Sequence, residues 1–104
     1  MIERGDVWLV RLDPVEGSEQ GKTRPCLIVS PPDAGPYRIS AIVPLTSKAR
    51  VTRFRPRVRF FRDGLALVDQ VRTVSHLRMI KRLGRMDAHT TSRVLAVLRE
   101  MFAE

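Results

Sequence analysis

Short runs of apolar residues alternate with polar residues and turn formers along most of the chain. The first run predicts a strand over residues 4–12, because successive side chains of a strand point to opposite faces. The face expected to lie toward the core carries Trp8, Val10 and Leu12. Pro14 is expected to end this strand, since proline cannot donate to a strand ladder. The polar residues 13–24 predict a long loop, and long ordered loops in small domains are often functional.

Five further segments have the length and apolar content of strands, and they are residues 25–30, 38–43, 57–61, 65–74 and 81–86. Between them, residues 31–36 predict a turn, and Pro44 is expected to stop the third strand. Asp63 and Gly64 predict a tight turn before the fifth strand. Ser75 is placed to cap a single helical turn that follows it. The last of the five segments is predicted to be a short edge strand.

The C-terminal segment has helical spacing. Asp87 is a favourable N-cap, because its carboxylate suits the positive end of a helix dipole. The apolar face of this helix consists of Val94, Leu95, Leu98, Met101 and Phe102. Five or six short strands followed by one helix predict a mainly β, α+β fold, a small and strongly curved antiparallel barrel with a C-terminal helix. The 104 residues suffice for one domain, residues 1–104, whose limited core dimerisation would help to stabilise.

Basic residues are concentrated in the middle of the chain. The sequence has 19 lysine and arginine residues against 11 acidic ones, a formal net charge of +8, and sixteen of the basic residues are arginine. Residues 38–85 hold thirteen basic and two acidic side chains, whereas both flanking segments are mildly acidic. Such a basic region favours a polyanionic partner, and arginine favours bidentate phosphate contacts. The alternative is a soluble basic protein with a solvated charged face.

Composition also limits the classes of site. The apolar runs are too short to span a membrane and the N-terminal residues lack the layout of a signal peptide, so we expect a cytoplasmic protein. The single cysteine, Cys26, permits no intramolecular disulfide and no cysteine-based zinc site. With only His76 and His89 in addition, we expect no metal and no cofactor. These histidines form a rival acid–base pair, although histidines at helix starts are usually structural.

Polar residues cluster at three predicted strand ends. Arg24 lies at the start of an apolar strand, and Glu19 precedes it on a glycine-bracketed loop. Thr46 and Ser47 follow the third strand, and Asp69 interrupts the fifth. If these strand ends meet, the arginine and hydroxyl groups suit an anion and the carboxylate can take a proton. By this reasoning the chain is an anion-binding barrel.

Each of these residues has a structural alternative. Thr46 and Ser47 can simply cap a turn, and Arg24 can be an exposed loop residue. Asp69 can be the ion-pair partner of a surface arginine.

Several blocks of the sequence resemble, in order, the MazF/PemK/Kid family of toxins from type II toxin–antitoxin systems. The matching blocks are RGDVW (4–8), LDP (12–14), GSEQ (17–20), RP (24–25), IVPLTS (42–47), ALVDQVRT (66–73) and LGRM (83–86). The resemblance implies an SH3-like barrel that forms a homodimer. It also implies a metal-independent endoribonuclease that cuts single-stranded RNA at short sequences, leaving a 2′,3′-cyclic phosphate and a 5′-hydroxyl.

The same resemblance assigns roles residue by residue. Arg24 matches the catalytic arginine of the family and Thr46 its phosphate-contacting threonine. Glu19 and Asp69 match acidic positions that accept a proton or contact the substrate. The matching neighbours on the same surface are Gln20, Ser47, Gln70 and Arg72. Leu67 and Ser18 stand where some members have an arginine and a histidine, so Arg24 is expected to do more here.

The resemblance further implies a cognate antitoxin with an acidic, disordered C-terminal segment. We expect this segment to compete with RNA for a mobile arginine-rich loop beside Thr46, through contacts to Arg50, Arg53 and Arg55. The alternative function is a non-catalytic barrel toxin that inhibits a topoisomerase, or a module that only binds nucleic acid. RNA cleavage by the protein would separate these classes.

Overall fold

The computed structural model describes residues 2–32 and 37–104, so most of the predicted turn at residues 31–36 lies outside the described residues. Within these ranges, seven strands form one antiparallel sheet, followed by a helix. The strands are β1 (Asp6–Arg11), β2 (Thr23–Ile28), β3 (Ile39–Thr46), β4 (Arg57–Phe60), β5 (Arg62–Ala66), β6 (Arg72–Ser75) and β7 (Met79–Arg85). The helix is α1 (Ala88–Phe102). The sheet order is β4-β5-β3-β2-β1-β7, with β6 also paired to β3, which confirms the predicted mainly β fold.

Proline at position 44 does not stop β3, which corrects the prediction from sequence. Pro44 pairs in register with Cys26 on β2, and its carbonyl accepts from the backbone N–H of Leu67 at 2.9 Å. On that side of the strand, pairing to β6 ends at Ile42 and pairing to β5 begins at Leu45. The missing N–H of Pro44 therefore falls between two ladders, where it costs no strand hydrogen bond.

The predicted strand at residues 65–74 is two strands joined by a turn. β5 ends at Ala66, a 3-10 turn spans Val68–Gln70, and β6 then returns to pair with the other end of β3. Asp63 and Gly64 lie inside β5 rather than in a turn, because the β4–β5 hairpin reverses at Phe61. Leu67 and Val68 carry the chain through the core at this corner, and both are buried.

Both faces of β1 are buried, whereas the sequence indicated a core on one face only. Val10 packs with Cys26 and Ile42 in one cluster, and Val7 packs with Leu27 and Val94 of α1 in another. Because the sheet curls, its two faces enclose separate clusters. Burial raises the pKa of the Cys26 thiol to about 12, so this cysteine is protonated at neutral pH.

The helix begins as predicted, with the Asp87 carboxylate accepting from Thr90 N at 2.9 Å. Leu95, Leu98 and Met101 pack against the cluster that contains Val94. Phe102, expected on the apolar face, is mostly exposed at the end of the helix. No helix in the described ranges is both long and apolar enough to cross a membrane.

A buried carboxylate joins β7 to β1. The side chain of Asp6 is 3% exposed and lies 3.3 Å from Arg82 Nε and 3.1 Å from Arg85 Nη1. Burial by itself would raise the pKa of Asp6, but the Glu3 backbone N–H and the Arg82 guanidinium outweigh it, and the pKa is lowered. The edge strand β7 is thereby held by charge-assisted bonds as well as by its ladder.

Candidate active site

The register of β2 and β3 brings Arg24 and Thr46 to the same end of the sheet. Cys26 on β2 is paired with Pro44 on the antiparallel strand β3. Arg24 lies two residues before Cys26, and Thr46 lies two residues after Pro44, so both are at the same end of the sheet. Two-residue steps keep a side chain on the same face of a strand. The two side chains therefore converge, and both line one open pocket.

This pocket, here called the arginine pocket, mixes polar and apolar walls. Its remaining lining residues include Pro25, Leu45, Ser47, Val58, Phe60, Arg62, Asp63 and Gly64. Two arginines and two hydroxyl residues therefore line one space together with one acidic residue, Asp63, and the guanidinium and hydroxyl groups are donors that suit a phosphate. Of the four residues predicted to share one pocket, which are Arg24, Thr46, Ser47 and Asp69, the first three line this one.

Uncharged groups hold Arg24 in place. Its Nε lies 3.4 Å from the Gly21 carbonyl oxygen. In the amide orientation that satisfies both of its polar atoms, Gln20 accepts from Arg24 Nε at 2.8 Å and from Nη2 at 3.0 Å. Across residues 2–32 and 37–104, no carboxylate forms an ion pair with Arg24. Its positive charge is positioned without being neutralised.

Gly64 allows β5 to approach β3 closely behind Thr46. A Cβ at position 64 would lie 2.7 Å from the Thr46 carbonyl oxygen, which is closer than the two atoms can come. Thr46 pairs with Leu65 on β5, and its hydroxyl accepts from Lys48 N at 3.1 Å. The backbone and side chain of Thr46 are thus both fixed. The turn-capping role weighed for Thr46 is present together with its place in the pocket.

A second pocket has Gln20 in its lining and is here called the carboxylate pocket. It is lined by Ser18, Glu19, Gln20, Pro44, Arg55, Asp69, Gln70, Val71 and Arg72. The Gln20 backbone N–H donates to Gln70 Oε1, so the β1–β2 loop is fastened to the 3-10 turn. Arg72 donates to the Leu12 carbonyl at 3.1 Å and fixes the start of the same loop. Gln20 therefore lines this pocket while its side-chain amide contacts Arg24 of the arginine pocket.

Asp69 is not in the arginine pocket, which corrects the single-pocket prediction. Arg55 Nε lies 3.0 and 3.1 Å from its two carboxylate oxygens, so Asp69 has the arginine partner that the alternative foresaw. Glu19 accepts from the Glu16 backbone N–H at 2.6 Å in the exposed loop. Both carboxylates line the carboxylate pocket and lie beyond Gln20 from Arg24.

The arginine-rich segment before β4 is fastened to the protein rather than being a free loop. Val68 N donates to the Phe54 carbonyl at 3.1 Å, and Arg53 Nε donates to Glu100 on α1 at 2.7 Å. Arg55 is paired with Asp69, as described above. Arg50 lines an open groove beside Ser47 and makes no ion pair with a described residue. The three arginines therefore differ in their contacts, because Arg53 and Arg55 are each paired with a carboxylate and Arg50 is not paired with a described one.

Sequence reasoning missed Phe60, Arg62 and Gly64 as pocket residues. All three lie on the β4–β5 hairpin, which contributes one wall of the arginine pocket. The misplaced turn at Asp63 and Gly64 hid this wall, since it put the hairpin tip two residues too late. Alternation in residues 57–60 was the available signal that Phe60 and Val58 share a face.

The histidines and potential metal ligands lie elsewhere. His76 Nε2 is 2.8 Å from Ser40 Oγ on β3, and neither His76 nor His89 lines the two pockets. Among the residues that the structure describes, no group of three His, Cys, Asp or Glu side chains is arranged to hold a metal ion.

Comparison with solved structures matches the fold along nearly the whole chain. MazF from Deinococcus radiodurans is 25% identical with a TM-score of 0.86, covering 96% of this chain and 94% of that one. MazF in a MazE–MazF complex from the same organism is 25% identical with a TM-score of 0.78 and the same coverage. An endoribonuclease bound to its cognate antitoxin, from a mycobacterial species, is 19% identical with a TM-score of 0.79, covering 96% and 93%.

The sequence itself matches a family model over residues 3–102, which include both pockets and all seven strands. The family is described as PemK-like, MazF-like toxins of type II toxin–antitoxin systems. This match extends from the residues before β1 to the last residue of α1. The chain therefore belongs to the PemK-like, MazF-like toxin family.

Proposed function

We propose that this protein is a toxin whose activity is metal-independent cleavage of single-stranded RNA at short sequences. The observation that carries the proposal is that Arg24, which forms no ion pair with the residues that the structure describes, lines one pocket together with Thr46. Family membership and the solved endoribonuclease with the same fold support it. The basic region at residues 38–85 supplies the attraction for a polyanion.

The proposed reaction uses the RNA as its own nucleophile. The 2′-hydroxyl gives up its proton and attacks the adjacent phosphorus, and the bond to the 5′-oxygen of the next nucleotide breaks. That oxygen takes up a proton, so the products are a 2′,3′-cyclic phosphate and a 5′-hydroxyl. Because the nucleophile is internal, the reaction requires no metal-activated water. Arg24 and Thr46 orient the phosphate and stabilise the charge that builds on its oxygens. DNA lacks the 2′-hydroxyl, so it can bind but is not cut.

Proton transfer is assigned to the carboxylate pocket. Glu19 and Asp69 are its two carboxylates, and Gln20 connects that pocket to Arg24. One of them takes the proton of the 2′-hydroxyl, and Arg55 holds the Asp69 carboxylate in position. Gln20, Ser47, Gln70 and Arg72 are proposed to contact the RNA from the same surface. Glu19→Gln and Asp69→Asn identify the base. Only the variant that lacks the true base loses the rise of the cleavage rate with pH that ionisation of the base produces.

The proposed protein partners are a second copy of the chain and an acidic antitoxin segment. Toxin–antitoxin complexes among structures with this fold support the second partner. A carboxylate-rich segment would be attracted to Arg50 and Arg24, and would thereby block RNA. Size measurement of the purified toxin and of its mixture with the cognate antitoxin checks both proposals.

Cleavage of a fluorogenic single-stranded RNA pool tests the proposed activity. We expect cleavage to continue in excess EDTA and the products to end in a cyclic phosphate. The matched DNA pool should stay intact. Activity that disappears in EDTA and returns with a divalent ion would contradict the internal-nucleophile mechanism. A folded protein that cuts no RNA would instead favour the non-catalytic, topoisomerase-inhibiting alternative.

A further inference from the structure

Phe61 is an exposed aromatic residue in a backbone conformation that side chains rarely adopt. It is the single residue between the paired Phe60 and Arg62 at the tip of the β4–β5 hairpin. Its φ is +63°, in the left-handed region where glycine is favoured and a bulky residue is an outlier. Its side chain is nevertheless 83% exposed, so no burial compensates for the strain. Outliers of this kind cluster at functional sites.

The ring of Phe61 stands on a fixed support at the rim of the arginine pocket. It meets the Phe60 ring edge-on, with centroids 4.6 Å apart and an angle of 64° between the planes. Phe60 lines the arginine pocket and packs so closely on Gly84 that a Cβ there would lie 3.0 Å from its Cζ. The position of Phe61 relative to the pocket is therefore set by packing rather than by a free side chain.

The charges beside Phe61 favour a nucleic acid as the ligand of this ring. Arg62, the next residue, lines the arginine pocket, whereas Arg59 on the same hairpin is neutralised by Asp63 at 2.8 Å. A phosphate held by Arg24 and Thr46 brings its neighbouring nucleotides within reach of the hairpin. Unpaired bases of single-stranded RNA stack on exposed aromatic rings, and each such contact strengthens binding regardless of base identity.

We propose that Phe61 is a substrate-binding residue that stacks on one unpaired base flanking the cleaved phosphate. This inference rests on the proposed RNA cleavage and extends it by a subsite outside the two pockets. Stacking on a base away from the reacting atoms strengthens binding without altering the chemical step. Phe61 therefore affects KM far more than kcat, and it leaves the sequence at the cut unchanged.

The first test compares variants at position 61. Phe61→Gly removes the ring and suits the positive φ, so the protein folds. We expect KM for a cleaved RNA oligonucleotide to rise about 5- to 150-fold with kcat nearly constant. Phe61→Trp should keep KM near the wild-type value, because the aromatic face is retained. The control is Phe102→Ala, which removes another exposed phenylalanine that is 71% exposed at the end of α1.

The second test locates the stacked base. Each nucleotide of the oligonucleotide is replaced in turn by an abasic one, and kcat/KM is measured for the wild type and Phe61→Gly. A stacking contact makes one flanking abasic site harmful to the wild type and harmless to Phe61→Gly. Equal losses at every position, or an unchanged KM in Phe61→Gly, would overturn the inference while leaving RNA cleavage established.

Two other results would also overturn the assignment of Phe61 to RNA binding. A Phe61→Gly protein that loses dimerisation or antitoxin binding but keeps its abasic profile would assign the ring to a protein contact instead. A wild-type protein that cuts no RNA would overturn the proposed function itself, and this inference with it.

Discussion

The arginines of β7 and Arg24 on β2 differ in the groups that hold them. Arg82 and Arg85 on β7 close on the buried carboxylate of Asp6. Arg24 on β2 is held instead by the Gln20 amide and the Gly21 carbonyl, which carry no charge. The β7 arginines neutralise a buried charge and fasten an edge strand, whereas Arg24 leaves a net positive charge on a pocket wall. The partner of an arginine therefore decides whether its charge is neutralised within the fold or remains available to an anionic ligand.

Removing Arg24 is the strongest way to test this contrast. We expect Arg24→Ala to lower RNA cleavage by about 10²- to 10³-fold, the usual loss for one donor to the transition state. Arg85→Ala is the matched control, because it should lower stability while cleavage per folded molecule stays near that of the wild type. Near-normal cleavage by a folded Arg24→Ala protein would remove Arg24 from the mechanism.

Changing Gly64 sharpens the contrast by moving Thr46 without altering any charge. In Gly64→Ala the new Cβ meets the Thr46 carbonyl oxygen, so β3 or β5 must shift. We expect cleavage to fall about 10- to 100-fold, because small displacements of reacting groups are costly. Overpacking should also lower the free energy of unfolding by about 1–3 kcal/mol. Unchanged cleavage with an unchanged unfolding curve would mean that the pocket does not depend on this close approach.

The sequence predicted the elements better than it predicted how they meet. Alternation and the Asp87 cap located most strands and the helix, because these signals are local. The extension of β3 through Pro44 depended on a change of neighbouring strand, which no local pattern reports. The pocket shared by Arg24 and Thr46 could be predicted because both residues lie at strand ends. The ion pair between Asp69 and Arg55 could not, because it depends on where the 3-10 turn lies relative to the segment before β4.

The Asp6 cluster gives the opposite expectation to Arg24, a loss of stability without loss of chemistry. We expect Asp6→Asn to lower the free energy of unfolding at pH 7 by about 1.5–3 kcal/mol, the range for hydrogen bonds to charged groups. Because the folded pKa of Asp6 is lowered, its stabilising effect is complete above the unfolded pKa near 4 and is lost as the pH falls through the folded value. Unfolding curves from pH 7 to 2.5 check this.

The wild type and Asp6→Asn should therefore converge in stability at the acid end of that series. A constant difference across the whole range would mean that protonation of Asp6 is not linked to unfolding. Cleavage by folded Asp6→Asn at pH 7 should match that of the wild type.

The smallest expected effects separate Arg50 from Arg53. Arg50 makes no ion pair with a described residue, whereas Arg53 is paired with Glu100. We expect Arg50→Gln to reduce the slope of log affinity against log salt concentration for single-stranded RNA by about 0.7. Arg53→Gln should leave the slope nearly unchanged, because its charge is already compensated. Equal changes in both variants would show that the ion pair with Glu100 opens when RNA binds.

The buried thiol of Cys26 gives a chemical probe of the part of the sheet that carries the candidate active site. Cys26 lies between Trp8 on β1 and Pro44 on β3, two residues from Arg24, and its sulfur is protonated and shielded at neutral pH. An alkylating reagent reaches it only when these strands separate, so the alkylation rate counts openings of the sheet. An RNA or antitoxin segment that binds across Arg24 and Thr46 would slow this chemistry, without any label on the partner.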